Sequence, residues 1–295
     1  MSKTGPRPGP PRLVVGAAAV LVVVTAAVVV FIAWRGLATF LVNKVHPFEF
    51  LAGVVWRPDR PAAEGGPLVG ILPFLAGSVI VSTLAVAMST PLSVASAVFV
   101  TEVAPNWGLR VLQPAIEVFA GIPSVVYGWV GLNVLVPFIR NHLGGLGFSV
   151  LAGALVLSVM VMPTIVGVAV DALKAVPLEL KNAAYGLGST RWQFIRYVLL
   201  PAARGGVLTG VVLGLSRAFG ETLAVQMVIG NTRLVPRSLL SPAVTLTSGI
   251  AMDMGHTAAG SLWNNALWSM ALVLLATSFL FIVVIRLVGG KGAAG

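Results

Sequence analysis

The chain contains no cysteine and only three histidines, His46, His142 and His256. The first absence excludes disulfides, thiolate metal sites and cysteine nucleophiles. The histidines lie far apart and lack an HExxH frame, which argues against a zinc site. Charge is the next scarcity: charged residues are 9% of 295, against about 25% in a soluble domain. So few charges cannot clothe a soluble protein of this size. Acids are scarcest, 9 against 19 Lys and Arg. The cations are scattered between apolar runs, not clustered on a wet face, and this argues against a nucleic-acid partner.

What is abundant is hydrophobic sequence, 57% of the chain. The composition reads as an all-α polytopic membrane protein. Residues 1–12 have no periodicity and read as a disordered tail. Leu13 to Trp34 is a run of 22 residues without a charge, longer than the apolar core of a signal peptide and long enough to cross a bilayer. Residues 13–34 are therefore expected to be the first transmembrane helix, and 35–67 a polar loop. The rest, 68–288, holds five further spans, near 68–88, 110–140, 148–170, 205–230 and 262–285. Pro91 is expected to divide the first of these from a shorter apolar element. Residues 289–295 form a second tail.

Six spans put both termini on one side of the membrane. With the termini inside, 11 of the cations fall on inner segments and 7 on outer ones, with Arg217 inside the membrane. The positive-inside rule thus favours cytoplasmic termini, an external 35–67 loop and a cytoplasmic 171–204 loop in a cell membrane. That loop reads as two short helices: Pro177 opens the first, Gly188 ends it, and Trp192 to Leu200 forms a second that stops at Pro201. Spacing alone leaves two readings, a hairpin lying on lipid or a docking element for a soluble partner.

Within the loop, Asn182-Ala183-Ala184, Gly188, Val198 and Leu200-Pro201 have the spacing of the EAA loop of ABC importer permeases. Asn182 stands where that pattern has Glu, and Val198 where it has Ile. The stretches Ala120 to Gly128, Ser216 to Val225 and Val228 to Asn231 resemble the PstC-type permease of phosphate importers, over roughly residues 66–288. The resemblance implies an importer permease fold with a cytoplasmic coupling hairpin, through which Asn182, Ala183, Ala184, Gly188, Leu200 and Pro201 meet an ATPase. It also implies a second, homologous permease of the PstA type, two ATPase subunits and an external phosphate-binding protein. ATP and magnesium would sit on the partner ATPase. This chain would bind no cofactor, and its one Gly-Lys pair, Gly290-Lys291, lacks the Walker A frame.

An Arg or Glu in a span is costly and needs a partner or a wet cavity. Arg217 and Glu221, four apart, are expected to share a face of the fifth span. They read either as an intrahelical ion pair or, with Thr222, as the lining of the phosphate path; we expect the path. Ser124 and Tyr127 follow a Gly121-Ile122-Pro123 break, and either donate to the anion or mark a structural kink. Gly206, Gly210, Gly214 and Ala218 form a small-residue stripe for close helix packing. Glu117 is expected at headgroup level, and Asp253 and His256 in a solvated loop. No catalytic or metal-binding constellation is expected. Sulfate or molybdate transport, a passive anion channel and an intramembrane enzyme are the rival functions.

Overall fold

A computed structural model describes residues 12–290. The tails expected at 1–11 and 291–295 lie outside the described residues, whereas 289–290 are still helical. The first helix, α1 (Arg12–Leu41), continues seven residues beyond the expected end at Trp34. The extension has a polar cause. An Arg35 guanidinium N–H donates to Asn264 Oδ1 at 2.9 Å, and the Ser269 hydroxyl meets the Gly36 carbonyl and Thr39. These partners hold the last turns of α1 against the last helix, while most of Val20 to Val30 is exposed and apolar.

The segment between the first two long helices is not structureless. It holds α2 (Pro47–Ala52) and two antiparallel two-residue strands, β1 (Trp56–Arg57) and β2 (Leu68–Val69). Next comes α3 (Leu72–Val98), which runs straight through Pro91, so the expected division there does not occur. Thr90 donates its hydroxyl to the Val86 carbonyl at 2.7 Å, adding a local bond beside the donor that Pro91 lacks.

After α3 come α4 (Pro105–Trp107), α5 (Gln113–Gly121), α6 (Ser124–Val130) and α7 (Val136–His142). The expected third span is bent by 93° between Gly121 and Ser124. The long helix α8 (Val150–Lys174) leads to the hairpin helices α9 (Leu178–Gly186) and α10 (Arg191–Phe194). Then follow α11 (Leu200–Gly220), α12 (Leu223–Val228), α13 (Leu246–Asp253) and α14 (Leu262–Gly290). Among the described residues, five helices are long and apolar enough to cross a membrane, and the bent pair would make a sixth.

Among the described residues, four π-helical turns recur with one sequence cause. They cover Phe99–Val103, Gly108–Leu112, Gly131–Leu135 and Ile195–Leu199, and each ends two residues before a proline. Proline has no N–H, and its ring clashes with the carbonyl four residues back. In each case the residue before the proline donates five residues back instead, as Leu200 does to Ile195. The widened turn makes room for the ring. Hence Pro201 does not stop a helix: from Arg191 to Gly220 the chain is one continuous span of 30 residues.

The core is the packing of α3, α8 and α11. The small-residue stripe is turned towards α8 of the same chain. A Cβ on Gly206 would lie 2.4 Å from Ala172 Cβ, and one on Gly214 would lie 2.7 Å from Ile165.

Candidate functional site

The site is built where α11 ends. Arg217 is in its last turn, half-buried, and one guanidinium N–H donates to Thr164 Oγ1 of α8 at 2.8 Å. Thr164 follows Pro163, whose missing N–H leaves the Val159 carbonyl without its usual helical partner. An arginine carries five N–H donors. One is taken here, and no ion pair to Arg217 occurs among the described residues.

The expected shared helical face for Arg217 and Glu221 is not found. The helix stops at Gly220, and Glu221 is extended, with φ −71° and ψ 133°. Glu221 Oε1 instead accepts the Ala224 backbone N–H at 3.3 Å, and its carbonyl accepts the Thr247 hydroxyl at 2.8 Å. The carboxylate therefore caps the start of α12 and its backbone is pinned to α13. Thr222 is the residue preceding α12 and is half-buried. A Gly-Glu-Thr sequence before a new apolar run is a helix stop followed by an acceptor for first-turn donors, so the break was readable from residue types.

Ser124 and Tyr127 lie on α6, beyond the 93° bend. The Tyr127 hydroxyl donates to the Phe119 carbonyl at 2.6 Å, tying α6 back to α5 across the break. Its single proton is engaged in holding the kink. Gly128 of the same helix packs on α12, where a Cβ would fall 2.9 Å from Ala224 Cα. Tyr127, Arg217, Thr164, Glu221 and Thr222 are thus drawn together from α6, α8 and the α11–α12 break. Ser124 is half-buried and makes no hydrogen bond recorded among the described residues.

The hairpin residues form the opposite end of α11. Gly188 turns the chain with φ +79°, a conformation that side chains with a Cβ resist. Thr190 and Gln193 form a capping box that opens α10. Ala184 is buried in the apolar cluster that also holds Phe194 and Val100, so it supports the hairpin from inside rather than presenting an outer contact. Asn182, Ala183 and Leu187 face outwards, Leu187 with 90% of its surface exposed. Pro201 is exposed and Leu200 half-buried.

Asp253 corrects a further expectation. It is 4% exposed, not solvated. It accepts the indole N–H groups of Trp56 at 3.1 Å and Trp263 at 3.3 Å, and Arg233 at 2.6 Å. One carboxylate thereby clamps the β1 segment, the loop after α12 and the start of α14. Its partners are 197, 10 and 20 positions away, so no local spacing announces the clamp. His256 is exposed as expected. Glu117 is exposed and accepts from Gln113 at 3.1 Å.

The sequence pattern of binding-protein-dependent transport system inner membrane components matches residues 89–290. A protein of Bacillus subtilis named as a probable ABC transporter permease, YqgH, is 51% identical over 280 residues, covering 95% of this chain and 89% of its own. Phosphate transport system permease proteins PstC of Mesorhizobium japonicum and Haemophilus influenzae are 35% and 36% identical. They cover 86% and 81% of this chain, and 80% of each relative is spanned. A solved structure of the MetNI methionine ABC transporter superposes with a TM-score of 0.54 at 21% identity, over 74% of this chain and 94% of that one. At that identity the likeness concerns the fold.

Proposed function

The chain belongs to the family of inner membrane components of binding-protein-dependent transport systems, and from that membership we propose that it is the permease subunit of an ATP-driven phosphate importer. The fold is that of an ABC importer permease and the subunit is a transport component, not an enzyme. The choice of phosphate follows the names of the PstC relatives. The observation that carries the mechanism is the half-buried Arg217, bonded at one of its N–H groups to Thr164 on the neighbouring long helix.

A cation in a spanning helix costs up to about 2.5–3.5 kcal/mol at the helix centre on insertion scales, and is usually kept where it serves a cavity or a partner. Its planar fork suits a tetrahedral oxyanion, which it can contact through two parallel N–H groups. Thr164 orients the fork. Glu221, at the break between α11 and α12, is the carboxylate that can receive Arg217 once the anion has left, and Thr222 supplies a hydroxyl beside it. In this arrangement the two charges have separate partners; in the alternate packing they pair, and the path opens to the other side. Tyr127 keeps the α5–α6 bend that borders the path.

The remaining assignments follow from the same reading. Residues 171–204 lie in the cytoplasm with both termini, and Asn182, Ala183 and Leu187 meet an ATPase that carries ATP and magnesium. A second, homologous permease closes the path, two ATPase subunits drive it, and an external binding protein delivers the anion. The test is uptake of radiolabelled phosphate into vesicles holding the assembled complex with ATP on the ATPase side. Uptake that excess sulfate or molybdate leaves unchanged supports phosphate; uptake of those anions in its place contradicts it.

A further inference from the structure

The hairpin is fastened to α3 by one ion pair. Lys181 of α9 places Nζ 2.8 Å from Glu102 Oε2, in the π-helical turn that ends α3. The Glu102 side chain is only 12% exposed, and that of Lys181 is 36% exposed. Lys181 Nζ also lies 5.7 Å over the Phe194 ring of α10. From the other limb, an Arg191 guanidinium N–H reaches the Val103 carbonyl at 3.4 Å. Both limbs therefore hold the same five-residue turn.

Around the pair the contact is open. A cavity of about 340 Å³ separates the hairpin from the end of α3, lined by Thr101, Glu102, Pro177, Leu178, Lys181 and Phe194, among others. Where the EAA pattern has Glu, this chain has the exposed Asn182. The charge missing at 182 leaves Lys181 as the residue of α9 that is ion-paired to the membrane helices among the described residues. The turn it grips is a π-helical turn, an element frequently found at functional sites.

We propose that Lys181 and Glu102 are the positioning pair that makes α9 and α3 move as one body, carrying displacement of the hairpin into the α3–α8 core. The inference rests on the reading of the hairpin as the ATPase contact. An exposed surface ion pair contributes little, but this one joins two elements 79 positions apart across a cavity, with its carboxylate almost buried. Its loss leaves the long Arg191–Val103 bond as the remaining polar tie, among the described residues, between the hairpin and that turn, and lets the hairpin rock relative to α3.

Two measurements on the assembled complex test it. The first is the ratio of phosphate moved to ATP hydrolysed. Lys181→Met keeps the apolar stem over Phe194, and Glu102→Gln keeps an acceptor. Each should lower the ratio by about fivefold or more, the scale of a site-to-site coupling, while assembly and hydrolysis persist. The exchanged pair, Lys181→Glu with Glu102→Lys, should restore most of it. Single variants with the wild-type ratio overturn the proposal, and so does loss of assembly that the exchange fails to repair.

The second measurement does not depend on the substrate. The chain has no cysteine, so spin labels on Leu92→Cys and Glu179→Cys report one distance between α3 and α9. That distance should stay constant between the ATP-bound and nucleotide-free states, and should change between them once Lys181→Met is added. A distance that already changes with Lys181 present, or stays fixed without it, overturns the latch. If the unaltered complex hydrolyses ATP yet moves no phosphate, the substrate reading fails and the spin-label distance still decides the latch.

Discussion

Arg217 and Glu221 stand four positions apart, yet Arg217 lies in α11 and Glu221 in the extended break that follows it, because α11 ends at Gly220 between them. Arg217 turns to Thr164 on α8, and Glu221 turns forward to the Ala224 N–H of α12. An intrahelical ion pair would have neutralised both charges and left little chemistry. Separate partners keep the guanidinium available to an anion.

Thr164 follows from that geometry as a positioning residue. Thr164→Val keeps the shape and removes the hydroxyl that orients the arginine. One hydrogen bond to a charged group is worth about 1.5–3 kcal/mol, so phosphate uptake at a fixed external concentration should fall roughly tenfold or more. Uptake by vesicles with equal amounts of assembled complex checks it, and Thr164→Ser should recover most of the rate.

Glu221 serves both as a cap and as a charge, and two substitutions separate the roles. Glu221→Ala removes the acceptor for the Ala224 N–H and should destabilise the protein by about 0.5–2 kcal/mol, the usual value of a lost cap. Glu221→Gln keeps an acceptor oxygen and should leave thermal unfolding close to the parent while still impairing uptake. Equal uptake by the parent and the Gln variant would reduce the residue to its cap.

The Asp253 clamp should matter to stability more than to the path. Asp253→Ala leaves Trp56, Trp263 and Arg233 without their shared acceptor. Loss of the charged bond alone should cost about 1.5–3 kcal/mol. Asp253→Asn keeps an acceptor oxygen and should cost less. Thermal unfolding followed by tryptophan fluorescence reads both the stability and the indoles that report it.

Close approach of α11 to α8 gives a paired prediction. Gly206→Ala puts a methyl into Ala172 and should destabilise the protein by about 1–3 kcal/mol through overpacking. Gly167→Ala, where nothing lies within 4 Å, should be neutral or slightly stabilising, because alanine is the better helix former. Thermal unfolding of the two variants side by side makes the comparison.

How far the sequence reached depended on the range of each interaction. The hydrophobic runs placed the long helices, since span length is a local property. The left-handed turn at Gly188 was equally local. The 4-residue stripe from Gly206 was readable as packing, but its partner on α8 was not. Pro91 and Pro201 misled for a physical reason: a helix tolerates proline when a threonine hydroxyl adds a local bond or a π-helical turn makes room for the ring. Arg217 and Glu221 were found by their cost in an apolar run. Their separation was missed because helical spacing was carried across Gly220. Thr164 had a weak signal, as one of two hydroxyls in the α8 run with Ser158. Lys181–Glu102 and the Asp253 clamp had none, because their partners are distant in sequence.

The most direct test of the account is phosphate uptake by assembled complexes carrying Arg217→Gln, Glu221→Gln and both changes together. The account predicts loss of uptake in each single variant and no recovery in the double variant, with assembly and membrane insertion intact. Normal uptake by the double variant would show that the two charges serve structure alone, and would contradict a phosphate path through Arg217.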